Sequence, residues 1–373
     1  MKIIRYHLII LFLVFSIFPG FAQKIQFVDS ASFYGKFCTQ LALYQSNGEI
    51  QNNGSRVGLF LNQKLENGIG FFVKSEWSVN TVENNYTFNQ GAVTSPDVTE
   101  NLFINSKNAF DTRLGFFGIN FKKYGTLTVG KQWSAYYDVS GWTDMFNVFG
   151  GQASGTYLLG TDGGETGLGR ASKAVIFRNK SGPLKLALQT QLTGDILNYG
   201  GTVILMITNE LEIGYAIYNS RISPETMNII SGSKKDNLSS IAGIRFKNQQ
   251  LSLALTYNIQ GFDLQHLMVN DTNLINGYYA RGFEFFAKYL AGRNFTLLGG
   301  FNYQNPNKNS IYVSDDFEIK YLVIGSEYYF SPKTMIYLEC KLDNSKNYQG
   351  NSEFNVYTLG FRFDFNLHNQ RKM

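Results

Sequence analysis

The 373 residues carry a formal charge of +5 and only 16% charged side chains, against roughly 25% in an ordinary soluble domain. So mild a balance gives no reason to expect nucleic acid as a partner. No Pro/Ser-rich linker, charge block or composition shift divides the chain, so one large domain is expected.

At the N-terminus, Lys2 and Arg5 precede Leu8 to Phe18, an apolar run broken only by Ser16, and Gly20-Phe21-Ala22 supplies small residues for cleavage. This reads as an export signal over residues 1–22, with Gln23 beginning the mature chain. The run is shorter than the ~20 apolar residues of a spanning helix. Removing it lowers the formal charge by two. Any membrane role therefore falls to strands, and the 32 Phe and 23 Tyr beside only 6 Pro suit strands joined by turns.

Sixteen segments of alternating character follow, at about 32–44, 55–63, 68–79, 110–121, 124–132, 170–178, 184–193, 199–207, 211–220, 238–246, 251–259, 278–290, 295–303, 317–329, 334–342 and 354–365. In the first, the odd positions from Phe33 to Leu43 are largely apolar, while Lys36, Cys38 and Gln40 occupy even ones. In the last, Tyr357, Leu359, Phe361, Phe363 and Phe365 oppose Thr358, Gly360, Arg362 and Asp364. Successive strand side chains point to opposite faces, so one face is apolar and the other polar.

Short links such as Lys122-Lys123 and Ser331-Pro332-Lys333 alternate with long ones at 80–109, 133–169, 221–237, 260–277 and 304–316. Tight turns at one rim and long loops at the other are the rhythm of a transmembrane barrel, whereas a Greek-key sandwich mixes its connections. The fold class expected is all-β, a 16-strand antiparallel barrel over residues 23–365 with a tail at 366–373. Parity sends Cys38 to the lumen and Cys340, with Ile336 and Leu338, to lipid. Two free thiols follow, since such positions cannot satisfy disulfide geometry.

One stretch is more specific: Asp111-Thr112-Arg113-Leu114-Gly115-Phe116, Gly125 to Lys131, Gly141-Trp142-Thr143-Asp144-Met145, Phe149-Gly150-Gly151, Gly169-Arg170 and Phe177-Arg178-Asn179. With Tyr34-Gly35-Lys36 and Ser55-Arg56-Val57-Gly58, it resembles the general trimeric porins of Gram-negative outer membranes. The resemblance implies a third loop folded inward to narrow a water-filled pore. It also implies a homotrimer in outer-membrane lipid and lipopolysaccharide, passing ions and small hydrophilic solutes without a cofactor. The family's basic wall falls on Lys36, Arg56, Arg113, Arg170 and Arg178, and its opposing acids on Glu76 and Asp144.

Parity independently turns Lys36, Arg56, Arg170 and Arg178 inward. It leaves Arg113 ambiguous, because Phe117 shares its side, and puts Lys131 outside the lumen with Leu127 and Val129. Opposed charges across a narrow aqueous gap set up a transverse field and bias ion choice. Where the family carries Pro-Glu and a later acid, this chain has Asn147-Val148 and Gln152, with Asp162 and Glu165 further on. The excess of cations suggests a weak anion preference.

An enzyme in a barrel would need a base near a nucleophile. The mature chain offers His266, in an expected surface loop, and His368 near the end, so no catalysis is expected. Gly160 to Glu165 lacks the strand-to-helix setting of a phosphate loop. Asp271-Thr272-Asn273 lacks the Gly and Glu of a calcium loop. The nearer rival is a channel specific for sugars or phosphate, with Trp133, Tyr136, Tyr137 and Trp142 as an aromatic track. Packing of these rings onto the barrel wall is the simpler expectation.

Overall fold

The computed structural model describes residues 28–95, 108–157, 161–193, 196–221, 230–231, 236–269, 272–306, 314–347 and 349–370. The expected export signal at 1–22 lies outside them, as does Asp271.

Sixteen antiparallel strands close on themselves. The first eight are β1 (Ser30–Tyr44), β2 (Arg56–Lys64), β3 (Gly70–Val79), β4 (Phe110–Asn120), β5 (Thr126–Trp133), β6 (Arg170–Ser181), β7 (Leu184–Thr193) and β8 (Ile196–Met206). The second eight are β9 (Leu211–Arg221), β10 (Asp236–Lys247), β11 (Leu251–Val269), β12 (Thr272–Leu290), β13 (Phe295–Pro306), β14 (Ile319–Ser331), β15 (Thr334–Asp343) and β16 (Val356–Gln370). Each pairs with its neighbour in sequence, and β1 pairs with β16 from Ser30↔Gln370 to Tyr44↔Val356, leaving the barrel no open edge. Two short segments are ancillary. Asn47–Asn52 pairs with the outer half of β1, and Ile230–Ser231 lies parallel to Ile275–Asn276.

The faces are inverted relative to a soluble protein. Phe33, Phe37 and Leu41 on β1, Ile213, Tyr215 and Ile217 on β9, and Leu359, Phe361 and Phe363 on β16 are exposed to the outside. Gln40, Gln189, Gln191, Asn258, Gln260, Glu284, Asn302 and Gln304 are buried on the inside. An apolar band running round the whole molecule far exceeds the few-hundred-Å² patches that soluble monomers tolerate, and is satisfied by lipid.

Three boundaries differ from the alternation. β16 continues past Phe365 to Gln370, so 366–370 are strand rather than tail; His368 pairs with Ser32, whose Oγ lies 2.6 Å from its Nδ1. The expected loop at 260–277 is largely a hairpin, because β11 and β12 extend beyond the rim through a register shift between Gln260 and Asp263. His266 therefore lies on a strand paired with Ile275. The thiols stand as parity placed them: both are free, Cys38 buried inside and Cys340 on the side of the exposed Ile336 and Leu338.

Candidate functional site: the barrel interior

The chain between β5 and β6 runs through the bore. It opens with a single helical turn, α1 (Tyr137–Ser140). Tyr136, Val139 and Trp142 pack with Ile204, Ala216, Tyr218, Ile241, Ala254, Phe286 and Leu298, inward residues of β8 to β13. Farther along, Val148 and Phe149 pack with Tyr321, Val323, Met335, Tyr337 and Val356 of β14 to β16. Glycines on the wall make the approach possible. A Cβ at Gly214 would stand 2.7 Å from Trp142 Cη2, and one at Gly243 3.1 Å from its Cε3.

Two wall carboxylates hold the loop by its backbone. Glu284 accepts from Ala153 N at 2.8 Å and from Thr143 Oγ1. Glu339 accepts from Asn147 N at 2.6 Å and Val148 N at 2.9 Å. A proline at 147 would have no N–H to offer, so Asn147 suits this anchor. The four rings weighed as a sugar track pack the loop instead. Trp133 stacks on Tyr137 at 3.9 Å, the Tyr136 hydroxyl donates to Ser154 O, and the Arg245 guanidinium lies 4.9 Å from the Trp142 ring.

Of the five cations that the resemblance assigns to a basic wall, Arg113 and Arg170 are buried and Lys36, Arg56 and Arg178 are half-buried. Lys36 stands opposite Arg56 in the β1–β2 register. Arg113 is the extra residue of a β-bulge on β4, where Glu76 pairs with Leu114 and Trp77 with Thr112. The bulge lets both Arg113 and Leu114 turn inward and removes the parity conflict with Phe117.

Residues 89–95, in the link between β3 and β4, fold in over these groups. Gly91 O accepts from Arg113 Nη1 at 3.0 Å and from Arg170 Nη1 at 3.1 Å, and Val93 O accepts from Arg170 Nη2. Asn89 Nδ2 bridges Asn53 Oδ1 and Asn147 O, joining this segment to the third loop. No periodicity announces the inward course of residues 89–95. Only the small Gly91-Ala92 pair, which fits the close approach, is a sequence signal.

The acids fall differently from expectation. Glu76 does not face the cations across a gap. It sits on β3 between their strands, with Arg113 Nε at 3.1 Å and Arg56 Nε at 3.8 Å, and accepts from the Tyr34 hydroxyl. Asp144 is turned into its own loop, where its Oδ2 accepts from the hydroxyls of Tyr137 at 2.8 Å and Tyr157 at 2.7 Å. Gly150 and Gly151 make room, for a Cβ on Gly150 would lie 2.6 Å from Asp144 Oδ1. Burial raises the Asp144 pKa above the ordinary carboxylate range, against the two hydroxyl donors.

A second acid, Asp162, also meets the cations, with Lys131 Nζ at 2.6 Å and Arg170 Nε at 3.4 Å. Lys131 thus belongs to the interior. An irregularity between Gly130 (φ 132°) and Gln132 breaks the alternation that sent it outward.

Arg178 stands apart from the rest. Eight residues beyond Arg170 on β6, it is ~26 Å further along the strand. There it pairs with Asp138 (Nε to Oδ2, 2.9 Å) and donates to Trp133 O and Ser134 O. Burial raises the Asp138 pKa, with Arg178 opposing. Among the described residues, no group of His, Cys, Asp and Glu is arranged to hold a metal.

A closed barrel with an apolar outside, a polar bore and loops crossing that bore is a pore-forming protein of an outer membrane. Residues 14–348 match the Gram-negative porin family, and the chain belongs to it. The outer membrane porin PhoE of Enterobacter cloacae is 26% identical, over 70% of this chain and 75% of its own length. Outer membrane porin N of Escherichia coli (strain K12) is also 26% identical, over 70% and 77%. Among solved structures, Salmonella typhi OmpF in complex with daunomycin superposes with a TM-score of 0.73 at 17% identity, covering 90% of this chain and 97% of that one. The protein is thus a multi-pass outer-membrane porin for passive diffusion, in a family of channels rather than enzymes.

Proposed function

We propose that the narrowest part of the channel lies between the wall of Lys36, Arg56, Arg113 and Arg170 and the third loop, with the inward segment 89–95 as a second narrowing element. Five cations, counting Lys131, meet only Glu76 and Asp162, while Asp144 is turned into its own loop, so the field there favours anions weakly. Ions and small hydrophilic solutes cross the constriction without a saturable site there. The packing of all four loop and wall rings argues against a sugar track. Arg178 belongs to the vestibule on the short-turn side. The convergence of Arg113, Arg170 and Lys131 on the two loops carries this reading.

The chain acts as a homotrimer among lipid and lipopolysaccharide after cleavage of residues 1–22; the trimer form of Vibrio cholerae OmpT, which superposes with a TM-score of 0.59 at 14% identity, is in keeping with this. The test is the zero-current potential across a planar bilayer in a salt gradient, for the native protein and for Lys36→Glu with Arg56→Glu. A shift of the variant toward cation preference is expected. An unchanged potential would remove these residues from the constriction.

A further inference from the structure

Below the third loop, on the short-turn side, lies a cavity of about 610 Å³, within the range of pockets that hold small molecules. Six cations line it: Lys122, Lys123, Arg178, Lys180, Lys185 and Arg245. Asp138 is the acid in its lining. Asp138 is taken by Arg178, and Lys185 and Arg245 share the single carboxylate of Glu212 on β9. No ion pair joins Lys122, Lys123 or Lys180 to a carboxylate among the described residues. Two acids thus balance two of the six cations and leave the cavity strongly positive.

We infer that this cavity is a binding site for compact multivalent anions, of the class of polyphosphates and phosphorylated solutes, reached from the periplasmic side. A monovalent anion engages only one or two of these cations at a time. A multivalent one spans Lys122, Lys123, Lys180 and Arg178 together and gathers the uncompensated charge. The floor is fixed, because Arg178 is held by Trp133 O and Ser134 O and the Arg245 guanidinium lies against Trp142. Screening over ~8–10 Å at physiological salt limits the contribution of rim cations outside the cavity. The site lies beneath the loop, so an anion seated there obstructs the current and arrives more readily from the short-turn side. This rests on the chain's forming a conducting pore.

Tripolyphosphate is added to one side, then the other, of a bilayer holding channels of known orientation. Half-block is expected at a concentration at least ~10-fold lower from the short-turn side. Lys122→Gln with Lys123→Gln and Lys180→Gln should remove that difference while conductance in potassium chloride changes less than ~2-fold. Lys64→Gln with Arg293→Gln and Lys333→Gln, which neutralises as many rim charges outside the cavity, should leave the block intact. Equal block from both sides, or equal loss in both triple variants, overturns the site while the pore stands. Failure of the native protein to conduct at all overturns the pore itself.

Discussion

Lys131 Nζ lies 2.6 Å from the Asp162 carboxylate, although the alternation of β5 points Lys131 toward lipid. Asp162 also receives Arg170, and both carboxylate and guanidinium are cut off from bulk water. This triad ties the root of the third loop to the wall at the start of β6.

Asp162→Asn keeps the shape and removes the charge, leaving Arg170 buried without its anion. Breaking such a pair by removing one partner costs about 3–5 kcal/mol. The folded barrel should unfold at a lower temperature, read from gel mobility after graded heating, and anion preference should rise. Unchanged unfolding would contradict a stabilising Asp162–Arg170 pair.

Trp142 rests on Gly214 and Gly243, so bulk added beneath it pushes the loop into the bore. Gly214→Val should cost about 1–3 kcal/mol by overpacking and lower the single-channel conductance. Native conductance in this variant would show that the loop does not limit flow.

Asp138 titrates above the ordinary carboxylate range because burial disfavours its charge. As pH falls, it is neutralised before unshifted carboxylates and leaves the Arg178 charge uncompensated. A raised carboxyl pKa means the protonated form is the better tolerated one in the folded state, so this group favours the fold at low pH, and that contribution is lost as pH rises through the shifted range. Anion preference should increase as pH drops toward the carboxylate range. Asp138→Asn should show the increase already at neutral pH and a flatter profile; a profile identical to the native one would clear Asp138 of this role.

Cys38 and Cys340 are on β1 and β15, with β16 between, and on opposite faces of the wall. Two strand spacings of ~4.8 Å already exceed the ~7 Å limit between bridged Cα atoms. Alkylation after unfolding without reductant should label both thiols, as counted by intact mass; a mass two hydrogens lighter with no label would contradict the register.

Regular pairing is what made the fold readable. β1 from Lys36 to Tyr44, β9 from Glu212 to Tyr218 and β16 from Val356 to Phe363 keep period two, and their faces emerge as the sequence implies. Parity fails where a strand departs from that period, at the bulge of Arg113 and the irregularity after Gly130, and both lie beside the site. The acids depart from the expectation for a different reason. Whether Glu76 faces the cations or joins them depends on which strands are neighbours. Asp144 is bound by Tyr137 and Tyr157 of its own loop, a contact no spacing rule reveals. The wall anchors Glu284 and Glu339 carry no sequence signal, because their partners are backbone amides, which every residue but proline carries.

The most direct test of the central claim is a single-channel record of the native protein in a planar bilayer under a salt gradient. Stepwise, ohmic conductance with a zero-current potential on the weakly anion-preferring side is the expected result. Absence of conductance steps, or a clear cation preference, would contradict a water-filled pore narrowed at a wall of excess cations.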